Sequence, residues 1–272
     1  KDEKGDKAVA QSKTSVHDIV EALLPLSGFL LYGFFVIFSK LFGLQITATI
    51  PLFGYELGVV EFASVLLIIV STIIVLFNLT KSKEKSNEFQ KVLLAHSFTW
   101  IGVQTMFIYA FFYLTEDLGL GDEAGKINSI AFFILSLVSA VLPVLVLNGF
   151  AKKIGMVKTH LICVFIMAMG YAGVLFFGTS VILYYIMIAI AGIGWASVVS
   201  LPFAIMSEKV DQRKMGLYMG IFNLAVVLPQ LVASFKMGEI VNAAPDKSIV
   251  FVISAVTLAI SGVLWLFVKN DK

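Results

Sequence analysis

The 272-residue chain holds one cysteine, three histidines and six prolines, and charged side chains make up only 14% of it. The single Cys163 excludes an internal disulfide and any cysteine zinc cluster. Set in an apolar run, it is expected to be a small core residue. His17, His96 and His160 are scattered near segment starts, so the spacing of a zinc site is missing. No G-x-S-x-G, H-E-x-x-H or P-loop occurs. The chain is therefore not expected to be an enzyme, and no cofactor or metal is implied. Twenty Lys and Arg against eighteen Asp and Glu leave a net charge of +2, without the basic excess of nucleic-acid binders. The opening KDEKGDKAVAQSKTS lacks the apolar core of a signal peptide. Because it starts at Lys1 and not at methionine, the chain is expected to be processed or a piece of something longer.

What is present in excess is apolar sequence: 59% of residues, against about 45–50% in an ordinary soluble domain. Stretches free of Asp, Glu, Lys and Arg mark eight segments, at about 22–42, 62–79, 92–114, 127–150, 159–178, 181–207, 215–235 and 248–268. Lys40 interrupts the first. A span needs about 20 residues to cross a ~30 Å hydrocarbon core. Barrel strands of ~10 alternating residues are excluded by continuous runs such as VLLIIVSTIIVLF. The expected fold is an all-α membrane protein, a polytopic bundle of eight helices in a lipid bilayer, each pairing its backbone within one segment.

The loop charges set the orientation. Sixteen of the twenty Lys and Arg fall in the N-terminal stretch, in every second connection and in the tail. The intervening connections hold Lys40, Lys126, Lys236 and Lys247, and TEDLGLGDEAGK is acidic. By the positive-inside rule both ends and the basic loops face the cytoplasm of an inner or plasma membrane. The expected organisation is a polar segment over 1–18, two spans over 19–80, a polar linker over 81–91 (KSKEKSNEFQK), six spans over 92–268 and a tail over 269–272.

Two stretches carry a resemblance. Asn148 to Lys158, with Lys152, Lys153 and Gly155, resembles the cytoplasmic loop motif G-x-x-x-D-[RK]-x-G-[RK] of the major facilitator superfamily, although Lys152 stands at the acidic position. Gly194-Trp195-Ala196-Ser197, Leu201-Pro202-Phe203-Ala204-Ile205, Ser207-Glu208-Lys209, Gly216 to Asn223 and Pro229-Gln230 closely resemble helices ten and eleven of sucrose-transporter-like members of its glycoside-pentoside-hexuronide:cation symporter group. Phe98-Thr99-Trp100 and Lys158-Thr159-His160 extend the match more loosely. The resemblance implies that the eight segments are helices five to twelve of a twelve-helix carrier. It also implies secondary active transport of a sugar with a coupling cation, a proton, by alternating access.

The residues themselves agree with a sugar path. Asn223 and Gln230 lie seven apart on one helix face, and an amide offers a sugar hydroxyl both donor and acceptor. Trp195, and Trp100 with Gln104 four residues on, offer rings for apolar sugar faces. Ser197 and Ser200 complete the expected substrate residues, with Tyr109 and Tyr113 as candidates for the outer vestibule. Ala189, Gly192, Ala196 and Ser200 form a small-residue stripe. Glu208 and Arg213 are expected as gate residues beside the Lys152, Lys153 and Gly155 loop, with Glu208 paired to Lys209 or Arg213. His96 and His160 read as interfacial or as a proton relay, and Trp265 as an aromatic-belt residue. The last six segments have no central carboxylate, so a coupling carboxylate is expected outside this chain. The alternatives left open are a same-fold carrier of a non-sugar solute, a sodium-coupled carrier, and an eight-helix membrane scaffold or sensor.

Overall fold

The computed structural model describes residues 16–52 and 55–270. Most of the polar stretch expected over 1–18, and residues 271–272 of the tail, lie outside the described residues. Seven helices are long and apolar enough to cross a membrane: α1 (Val16–Phe42), α2 (Val59–Leu76), α3 (Glu84–Asp117), α4 (Gly121–Ile154), α5 (Met156–Phe177), α6 (Val181–Glu208) and α7 (Gln212–Ala243). An eighth apolar helix, α8, is shorter (Ile249–Trp265). The eight expected segments thus correspond one to one with helices. Helix α8 stops before Val268 because the chain tightens after Trp265, with Leu266, Phe267 and Val268 donating to carbonyls three residues back at 3.1–3.2 Å.

Proline shapes the helices from within. Pro25 sits in a 3₁₀ turn, Leu24–Leu26, that divides α1, and Pro143 opens a π turn, Pro143–Leu147, in α4. Further π turns, Tyr113–Asp117 and Ala233–Met237, end α3 and interrupt α7 just after Pro229. Between α1 and α2 runs an antiparallel hairpin that the apolar pattern does not announce, β1 (Thr49–Leu52) with β2 (Tyr55–Gly58).

The helices pack in the order α4–α6–α5–α8–α3–α7–α1–α2. Helix α3 is the least apolar of the long spans and the most enclosed, whereas the strongly apolar α4 and α2 are the most exposed. This is the distribution lipid demands: polar groups pair inside while apolar faces meet acyl chains. Small residues allow the close crossings. A Cβ on Gly192 would stand 3.1 Å from the Leu135 carbonyl of α4, and one on Gly102 would stand 2.8 Å from the Ser254 carbonyl of α8.

The stretch expected to be a linker, residues 81–91, is helical from Glu84 onward. Its polar side chains have distant partners. Gln90 donates to the Glu21 carbonyl at 2.6 Å, Glu88 accepts from Lys91 at 2.7 Å, and its second oxygen accepts from the Lys269 backbone at 2.6 Å. At the other end, the Asp117 carboxylate accepts from the backbone N–H groups of Lys247 (2.9 Å) and Ser248 (2.7 Å), capping α8 from a different helix. Removing it in Asp117→Ala is expected to cost about 2 kcal/mol, with a smaller loss in Asp117→Asn. Thermal unfolding of the purified protein in detergent measures both; equal losses would deny the cap its charge.

Candidate functional site

On α3, His96, Trp100, Gln104 and Phe107 follow one another at helical spacing. The Trp100 indole N–H donates to His96 Nε2 at 2.8 Å, which fixes the ring, and His96 in turn stacks on Phe222 of α7 with centroids 4.8 Å apart and planes 13° apart. Trp195 of α6 stands edge-on to Trp100 (6.0 Å) and to Phe107 (5.0 Å), and Phe132 of α4 closes the row at 5.4 Å from Phe107. Gln230 of α7 reaches across to donate to Gln104 Oε1 at 3.3 Å.

The structure therefore brings together four of the expected residues, Trp100, Gln104, Trp195 and Gln230, on three helices. All four are half-buried, so rings and amides share a partly exposed face and not a sealed core. Aromatic faces beside unsaturated amide capacity can take a neutral, hydroxyl-rich molecule, and no charged side chain belongs to this cluster. Sequence reasoning missed Phe107, Phe132 and Phe222. Phe107 lies three residues beyond Gln104, so its face was readable from spacing; Phe222 was legible only as the neighbour of Asn223.

The other expected substrate residues are placed differently. Ser197 is buried behind Trp195, its hydroxyl 2.7 Å from His160 Nδ1. Ser200 is exposed and donates to the Ala196 carbonyl of its own helix at 2.6 Å. Asn223 is exposed on α7, clear of the Gln104–Gln230 contact. Tyr109 and Tyr113 do not line a vestibule: both are buried, Tyr109 donating to the Ser234 carbonyl at 2.9 Å and Tyr113 to the Gly178 carbonyl at 3.2 Å. Each hydroxyl satisfies a carbonyl freed near a helix irregularity.

His96 and His160 lie in the core of the bundle, whereas His17 is exposed. His96 and His160 are buried, and Trp265, read as a belt residue, is fully buried with its ring 4.5 Å from His160. His96 Nδ1, His160 Nε2 and Trp265 Nε1 have no hydrogen-bond partner among the described residues. Among those residues no three His, Cys, Asp or Glu side chains converge to hold a metal ion.

At the end carrying the basic loops, Lys152, Lys153, Glu208 and Arg213 are exposed. Gly155 has φ +91°, a conformation that favours glycine, and a Cβ there would strike the Asn270 amide, which itself donates to the Ile154 carbonyl at 2.9 Å. Arg213 pairs with Asp211 (2.8 and 3.1 Å) and not with Glu208. Hydrogen bonds from the Arg213 side chain and backbone hold the Asp211 carboxyl down at about 2. At the opposite end Lys236 of α7 bridges Glu61 of α2 (3.3 Å) and Glu239 (2.7 Å).

No curated protein matches the chain in sequence. Its fold is similar to that of PepTSo, a POT family transporter known from an in meso crystal structure, with a TM-score of 0.57 at 17% identity over 66% of this chain. The chain spans 36% of the length of that protein, a likeness of fold alone. The sequence profile of the Major Facilitator Superfamily matches residues 62–234, from α2 into α7 and through every residue of the aromatic and amide cluster. The chain belongs to the major facilitator superfamily.

Proposed function

We propose that the complete protein is a secondary transporter that carries a sugar together with protons by alternating access, with its basic loops in the cytoplasm. One observation carries the substrate class: Trp100 and Trp195 meet edge-on beside the Gln104–Gln230 pair on a partly open face. Rings take up the apolar faces of a sugar, and the amides exchange hydrogen bonds with its hydroxyls. The pairing between the two glutamines leaves the Gln104 amide N–H₂ and the Gln230 carbonyl oxygen to face a ligand. Asn223 and Ser200, exposed on the same two helices α7 and α6, are in this reading on the surface that meets the other half of a two-halved carrier. The Lys236 bridge to Glu61 of α2 is then the outer fastening between the halves that such a rocking motion must release and reform.

The test is uptake by proteoliposomes of the full-length protein over a panel of disaccharides, with and without an imposed pH gradient. Accumulation of a sugar driven by the gradient, reduced about tenfold or more in Gln104→Leu and Gln230→Leu, is the expected result for a lost pair of buried hydrogen bonds. Uptake unchanged in both variants would leave the amides as helix packing only. Uptake of no sugar on the panel would overturn the substrate class, and sodium-driven uptake the proton.

A further inference from the structure

We infer that the cavity at the basic end of the bundle is a binding site for a phosphate-bearing anion, of the kind that a phospholipid headgroup or a soluble phosphate presents. The cavity, about 810 Å³, lies between the start of α1, the α2–α3 loop and the α6–α7 loop. That volume lies within the range of ordinary ligand sites. Its wall holds six cations, Lys81, Lys83, Lys85, Lys209, Arg213 and Lys214, against three carboxylates, Asp18, Glu21 and Asp211.

The carboxylates are already engaged. Asp211 holds Arg213, Asp18 accepts from Lys214 at 2.7 Å, and Glu21 accepts from the Ser86 hydroxyl at 3.0 Å. Lys209 is turned inward to the Lys269 carbonyl at 2.7 Å, where it closes the end of α8. Lys81, Lys83 and Lys85 are exposed, and their ammonium groups have no partner among the described residues. The ammonium groups left without a partner among the described residues are therefore concentrated on one loop.

That loop is held in a set shape. Asn78 and Lys81 have φ +48° and +54°, a region that asparagine visits readily but that is costly for lysine. The Asn78 side chain maintains them, donating to the Ser82 carbonyl at 3.1 Å and accepting from the Ser82 N–H at 2.9 Å. Strain of this kind persists only where surrounding contacts enforce it, and it preorganises whatever the loop presents. Helix α3 starts at the cavity with no side-chain cap, so its N-terminal N–H groups add partial positive charge to that of the lysines. The Phe89–Tyr218 edge contact, 5.0 Å between centroids, adds an aromatic stretch to the lining that suits the acyl chains of a lipid. Basic pockets between spanning helices are where anionic headgroups bind.

The experiment uses the full-length protein in a zwitterionic detergent and measures equilibrium binding of dihexanoyl phosphatidylglycerol, dihexanoyl phosphatidylcholine and inorganic phosphate. One variant is the triple Lys81→Gln, Lys83→Gln, Lys85→Gln, all exposed positions. The control is the triple Lys152→Gln, Lys153→Gln, Lys158→Gln, which removes equal charge from the same end. The expected result is saturable, salt-sensitive binding of an anionic probe that weakens about tenfold or more in the first triple and less than about twofold in the second. Phosphatidylglycerol bound in preference to phosphate assigns the site to lipid; phosphate bound as well as the lipid assigns it to a soluble ligand. Absence of saturable binding, equal affinity for phosphatidylcholine, which has no net charge, or equal weakening by both triples would overturn the proposal.

Discussion

Gly170→Leu is expected to lower the stability of the protein by about 3 kcal/mol or more, at the upper end of what overpacking costs. A Cβ at position 170 of α5 would stand 2.8 Å from the Ala191 backbone nitrogen and 2.9 Å from the Met187 carbonyl oxygen of α6. Both obstacles are backbone, so no rotamer change relieves them and the helices must separate along their contact. That contact is among the most extensive in the bundle, and it also seats Gly194 against Met167 and Cys163. In lipid the energy of such a crossing is mainly van der Waals contact, which falls steeply with distance. Gly125→Ala is the control: nothing lies within 4 Å of its Cβ position, and a helical Gly→Ala change is expected to be neutral or stabilising by up to about 1 kcal/mol. Thermal unfolding in detergent compares the two. Similar midpoints for Gly170→Leu and the parent would show that α5 and α6 are not held at this spacing.

The spans were legible in the sequence because hydrocarbon imposes a one-dimensional rule on each of them: about twenty residues, few charges, backbone pairing within the segment. What escaped that rule is what depends on partners far along the chain. Residues 84–91 look like a linker because their charges are visible in sequence, whereas the Lys269 backbone that Glu88 binds and the Glu21 carbonyl that Gln90 binds are not. The hairpin between α1 and α2 lies outside the apolar runs, and its ladder and the Thr49–Glu56 side-chain hydrogen bond are contacts across a turn. In the candidate site, spacing placed Gln104 on the face of Trp100, but only the fold shows which of the polar residues on α6 and α7 meet that face. Ser197 and Trp195 are two apart on one helix, so they point to different sides; one finds Trp100 and the other His160.

The tryptophans show how much this distinction decides. Trp265→Ala is expected to destabilise the protein by about 3–5 kcal/mol, the usual cost of emptying a fully buried aromatic site. Trp265 is 0% exposed and packs on His160, and its removal opens a void where α3, α5 and α8 meet, next to the Thr99–Ser261 hydrogen bond of 2.7 Å. Trp195→Ala is expected to behave in the opposite manner. Its ring is half-buried, edge-on to Trp100 and Phe107, so it loses contacts on one side only, for about 1–2 kcal/mol. Its larger effect is expected on transport, because the ring lies on the partly exposed face on which the proposed sugar stacks. Unfolding midpoints and initial uptake rates, measured on both variants of the full-length protein, separate the two roles. A Trp265→Ala protein as stable as its parent would mean that the α3–α5–α8 core closes over the gap. A Trp195→Ala protein with parental uptake would remove Trp195 from the substrate path and leave it as packing between α3 and α6.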